Sequence, residues 1–148
     1  YCGYSEWRHP NSSVYKSILP VSLEDIGDAL WILELPEDDG HEFPKLVMNS
    51  TIDGLPEKLK GDFALQSTIL PTSIYNILMC MFDQNFSGIT DGGSWHYKWH
   101  EFASQFNEET IDADASQNQA EDWARKATIN FSKNQKYKQL FIKNFMSD

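Results

Sequence analysis

Ser94-Trp95-His96-Tyr97-Lys98-Trp99-His100-Glu101-Phe102-Ala103-Ser104-Gln105-Phe106 is the stretch on which the fold class turns. Its large apolar side chains, Trp95, Trp99, Phe102 and Phe106, recur at i, i+4, i+7 and i+11. That spacing is one face of an α-helix and no face of a strand. Gly92-Gly93 supplies a flexible turn before it, and Ser94 stands where an N-cap belongs. The same period returns in Ala120, Trp123, Ala124, Ala127 and Phe131. Ser132-x-x-Gln135 then reads as a capping box ahead of Tyr137, Leu140, Phe141 and Phe145. No proline follows Pro71 and no glycine follows Gly93, so nothing interrupts helix over the 55 residues from Ser94. Three helices are predicted there.

The first half is less regular. Ser22-x-x-Asp25 after Pro20 predicts a helix carrying Leu23, Ile26, Leu30 and Leu33 and ending before Pro36, although Leu30 to Leu35 equally suits a short strand. Thr72-Ser73 after Pro71 predicts a helix from Ile74 to Phe82. Residues 43–52 and 56–66 read as short helices or loop, and residues 1–20 have no clean period. The expected architecture is mostly α: one domain, 1–148, of about five to six helices with an irregular N-terminal third and a small β element near 30–35. An α+β fold is the alternative.

Composition agrees with one folded globule. The chain has 148 residues, 41% of them hydrophobic and 14% aromatic, which suits a core rather than an acidic disordered tail. The longest apolar run, Ile77 to Phe82, is far too short to span a bilayer, and no membrane partner is expected. Charge is divided unevenly. Residues 1–124 hold 21 acidic against 6 basic side chains, and the last 24 hold six basic against one acidic, leaving a net −10. An acidic body repels polyanions, so direct nucleic-acid binding is not expected. The basic C-terminal helix reads as an internal counterweight, its apolar stripe pinning it to the acidic body.

Catalytic signatures are missing. Gly92-Gly93-Ser94-Trp95 is not a G-x-S-x-G elbow, and neither C-x-x-C nor a phosphate-cradling glycine loop is present. His96 and His100 stand four apart with Glu101 beside them, but H-E-x-x-H is not met and no further Cys or His pair completes a zinc set. Asp112-Ala-Asp114-Ala-Ser116-Gln-Asn118 alternates oxygen donors as a calcium loop does. Its sixth position, however, is Gln117 where glycine is needed, and its twelfth is Trp123 where a bidentate glutamate is needed. Paired acids (Glu37-Asp38-Asp39, Glu108-Glu109, Glu121-Asp122) could serve a hydrolase only in a desolvated cleft. No cofactor and no metal are expected.

These absences, with the acidic clusters, favour a non-catalytic protein-binding domain. The closest type is an immunity or antitoxin-like inhibitor neutralising a basic toxin or nuclease through charge complementarity. The expected contact residues are Glu37, Asp38, Asp39, Glu42, Glu108, Glu109, Asp112 and Asp114. A small hydrolase using a carboxylate pair or a His96/His100 metal site is one alternative. A structural subunit packing its aromatic N-terminus on another chain is a second. Cys2 and Cys80 fit two free thiols in the cytoplasm. The start at Tyr1 rather than Met, together with N-x-S/T triplets at Asn11, Asn49, Asn85 and Asn130, keeps a periplasmic or secreted location in view.

Overall fold

A computed structural model describes residues 18–37, 43–84, 94–112 and 114–146. Among the described residues three short strands, β1 (Val21–Glu24), β2 (Trp31–Glu34) and β3 (Lys45–Asn49), precede five helices: α1 (Leu55–Gly61), α2 (Phe63–Asp83), α3 (Trp95–Ser104), α4 (Gln117–Asn134) and α5 (Tyr137–Phe141). A π-turn, Ile142–Met146, continues α5. The mostly α class with a small β element is therefore what the chain adopts.

The helix expected from Ser22 to Leu33 is replaced by two strands. The Asp25 carboxylate accepts the Gly27 N–H at 3.0 Å, closing a turn instead of capping a helix. Gly27 adopts φ +70°, a left-handed conformation natural to glycine. The turn is wide enough for β3 to enter between β1 and β2, so the sheet order is β1-β3-β2, with β1 parallel and β2 antiparallel to β3. Leu46 and Met48 of β3 are fully buried in the core, and Trp31 and Leu33 of β2 pack on the same side.

Asn49 closes this arrangement. Its side-chain amide donates to Gly27 O at 2.8 Å and Ala29 O at 2.7 Å, and its Oδ1 accepts from Thr51 N at 3.0 Å and Thr51 Oγ1 at 2.7 Å. Both ends of a buried amide are thus satisfied, as burial requires.

Pro71 does not start a helix, as its position before Thr72-Ser73 suggests; it lies inside α2. Asp62 is the true N-cap, its carboxylate accepting from Ala64 N at 2.9 Å and Leu65 N at 3.3 Å. An interior proline costs about 3 kcal/mol. Against it stand Ile69, Leu70, Ile74, Ile77, Leu78 and Met81, all at most 1% exposed. Each contributes about 1.5–3 kcal/mol by burial, so packing outweighs the missing hydrogen bond.

Of the three helices expected in the second half, α3 and α4 follow their period closely. Ser94 caps α3 by accepting Tyr97 N at 3.1 Å. Ser116 and Gln119 form the reciprocal capping box of α4, at 3.2 and 2.8 Å. Every residue of the two expected stripes, Trp95 to Phe106 and Ala120 to Phe131, is buried. Ser132-x-x-Gln135, by contrast, caps nothing. Ser132 lies within α4 and donates to Thr128 O at 3.1 Å, and the chain breaks instead at Lys136, φ +62°.

Two links bind α5 to the body. Phe102, Phe106, Phe131 and Tyr137 form a chain of rings with centroids 5.2–6.2 Å apart. Tyr137 OH also donates to Gln66 Oε1 at 3.3 Å, and Gln66 Nε2 donates to Leu59 O and Lys60 O. Beyond Tyr137 the expected pinning fails: Phe141 is 51% exposed and Phe145 60%. Of the basic residues in the last 24, Lys126 pairs with Asp122 and Glu109, whereas Lys133, Lys136, Lys138 and Lys143 make no ion pair among the described residues. The apolar residues there outnumber the core positions that one short helix can reach.

Candidate functional site

Residues 105–116, joining α3 to α4, carry the acidic segment singled out from sequence. Neighbouring side chains hold their backbone to α4. Asn130 Nδ2 donates to Phe106 O at 2.7 Å, Trp123 Nε1 donates to Glu109 O at 2.9 Å, and Asn107 Nδ2 donates to Trp123 O at 2.8 Å. Ala115 N closes a turn on Asp112 O at 3.1 Å, and the Ser116 cap follows immediately. The carbonyls of Phe106, Glu109 and Asp112 are thereby satisfied. Glu108, Glu109, Asp112 and Asp114 are all exposed, as are Glu121 and Asp122 on the first turns of α4.

Glu109, Asp112, Asp114 and Asp122 line one shallow pocket of about 170 Å³, together with Gln119, Trp123 and Lys126. Lys126 bridges its rim, 3.0 Å from Asp122 and 3.8 Å from Glu109. The hydrogen bond from Lys126 to Asp122 raises the lysine's pKa above its usual value, with the charges of Asp122 and Glu109 adding to it. The i,i+4 spacing of Asp122 and Lys126 is the sequence signal that carries this pair. Glu108 faces away from this pocket and lines an open groove with Asn130, Lys133 and Lys136. Glu37 is exposed just past β2. Asp38, Asp39 and Glu42 lie outside the described residues.

The histidine pair diverges. His96 is buried, stacks on Trp95 at 4.0 Å and meets Gln84 Oε1 at 3.1 Å through Nε2. His100 lies parallel to the Trp123 indole, 5.7 Å centroid to centroid, with Nδ1 3.7 Å from Glu101. Burial against that ring lowers the His100 pKa, partly opposed by Glu101. Among the described residues no group of three or more His, Cys, Asp or Glu side chains is placed to hold a metal ion. The calcium-like run fails for a structural reason too, because Ser116 is committed to capping α4. Cys80 is half-buried and accepts Gln84 Nε2 at 3.3 Å, while Cys2 lies outside the described residues. No helix among the described residues is long and apolar enough to cross a membrane.

Comparison with protein-family models, curated proteins and solved structures finds no match for this chain.

Proposed function

We propose that this chain is a non-catalytic binding domain that captures a basic protein on the acidic loop between α3 and α4. An immunity or antitoxin-type inhibitor of a basic toxin or nuclease is the partner relationship this chemistry fits best. One observation carries the reading: the loop backbone is tied down by Asn107, Trp123 and Asn130 while its carboxylates stay exposed. A surface already fixed in shape loses less entropy on binding. Clustered charge of one sign raises the association rate towards about 10⁸–10⁹ M⁻¹s⁻¹ at low salt. Trp123, the aromatic residue beside the loop, is only 4% exposed and offers little contact area. Binding through this surface is therefore dominated by charge and is strongly salt-dependent.

The hydrolase alternative receives less support. A general acid needs a desolvated carboxyl, whereas the side chains of Glu109 and Asp122 are 74% and 59% exposed. The test is capture of native-host proteins on the immobilised chain at low salt, eluted by a salt gradient. A basic protein is expected, lost when Glu109, Asp112 and Asp114 are changed together to Lys. Retention of no basic protein, or retention indifferent to salt and to those changes, overturns the proposal.

A further inference from the structure

The segment 137–146 combines exposed apolar side chains with lysines. Phe141, Ile142, Phe145 and Met146 are 51%, 45%, 60% and 68% exposed. At i, i+1, i+4 and i+5 they occupy one helical face, and Phe141 and Phe145 are in ring contact at 5.1 Å. Phe63 extends the face from α2, 6.1 Å from Phe145. Lys138 lies one turn before Phe141 and Ile142, and Lys143 lies between Ile142 and Phe145 in sequence. Neither lysine makes an ion pair among the described residues. Phe141 and Phe145 are each more than half exposed while Phe63 is half-buried at their base, so this is a raised apolar face edged by cations.

We propose that this face rests on an anionic lipid surface, with the phenylalanines at the boundary between headgroups and acyl chains and the lysines on the lipid charges. Charge complementarity selects the occupant. A second copy meeting the face symmetrically would bring lysine against lysine. Pairing instead with the acidic loop of another copy would leave the phenylalanines over a polar pocket. An anionic bilayer satisfies both halves of the face, as it does for surface-lying amphipathic helices.

The acidic body does not prevent this approach. Trp123 of the acidic pocket packs on Phe82 near the C-terminal end of α2, whereas Phe145 of the face packs on Phe63 at its N-terminal end; 19 residues of helix at about 1.5 Å each separate those contacts by roughly 28 Å. That is about three Debye lengths at physiological salt. Glu108 is nearer, beside Lys133 and Lys136, so the lipid-directed charge rests on Lys138 and Lys143. Asp62, next to Phe63, is occupied by Lys58 at 3.5 Å and by two backbone N–H groups.

Vesicle flotation tests the proposal. The whole chain is mixed with vesicles of phosphatidylcholine alone, or of phosphatidylcholine with about a third phosphatidylserine, at low and physiological salt. Flotation with the anionic vesicles only is expected. Lys138→Gln with Lys143→Gln should weaken it by roughly 30-fold, at about fivefold per lysine near an anionic surface. Phe141→Ser with Phe145→Ser should weaken it further while leaving the far-ultraviolet circular dichroism unchanged, since both side chains are exposed. No flotation, flotation indifferent to both pairs of changes, or concentration-dependent self-association without lipid binding overturns the proposal. Such a failure leaves the acidic-loop reading standing, because that reading rests on other residues and on salt-eluted protein capture.

Discussion

Asn49 offers the sharpest test of how the sheet is held. Its amide joins the β1–β2 turn to the end of β3 through two donated and two accepted hydrogen bonds of 2.7–3.0 Å, at 2% exposure. Two backbone bonds, Asn49 N to Leu30 O and Ser50 N to Glu24 O, depend on the same alignment. Each side-chain bond contributes about 0.5–1.5 kcal/mol net. Gly27 and Thr51 are exposed enough for water to replace part of the loss. Asn49→Ala should therefore cost roughly 2–4 kcal/mol, lowering Tm by roughly 5–15 °C for a domain of this size. Asn49→Asp should be worse at neutral pH, because a carboxylate oxygen would face the Gly27 and Ala29 carbonyls where two N–H donors stood. Those carbonyls favour the protonated acid, so its folded-state pKa would be raised and the deficit should shrink as pH falls through that value. Urea and thermal unfolding, followed by tryptophan fluorescence across pH, measure all three chains. An Asn49→Ala cost below about 0.5 kcal/mol, or an Asn49→Asp deficit indifferent to pH, would refute the clamp.

Other expectations come from the helix ends and from titrating groups. Ser116→Ala should cost about 1 kcal/mol by chemical denaturation, because it removes a cap, whereas Ser132→Ala inside α4 should change stability little. Lys136→Gly should add up to about 1 kcal/mol by relieving a left-handed lysine, measured the same way. His100 holds a lowered folded-state pKa, so its contribution is complete above the unfolded value of 6.5 and is lost as pH falls below it through the folded value. His100→Phe should flatten that part of a stability–pH profile. Asp62, lowered chiefly by the Leu65 N–H, should likewise contribute above 3.8 and lose its contribution as pH falls through its lower folded value. Asp62→Asn should remove that acid-side slope.

The surface position of the acidic segment is legible in the sequence. Glu108, Glu109, Asp112 and Asp114 belong to a segment whose polarity and position between two strong helical stripes marked it as a surface loop, and all four are exposed. What escaped notice was how the loop is fixed, because Asn107, Trp123 and Asn130 act across the α3–α4 packing and not along the chain. The histidine pair shows the same limit. Spacing placed His96 and His100 on neighbouring turns, but burial sends one to Gln84 and the other to Trp123.

By itself the sequence determined the helical second half. Helical period, a serine cap and freedom from proline and glycine are local properties, and they agreed over α3 and α4. Only the tertiary structure decided the first half. A turn at Gly27 wide enough to admit β3, a buried amide at Asn49 and a proline carried inside α2 each depend on partners distant in sequence. The same asymmetry explains the C-terminus: periodicity announced an apolar stripe, but whether a stripe is buried depends on the surface available to cover it. Here Tyr137 found the core, and Phe141 and Phe145 did not.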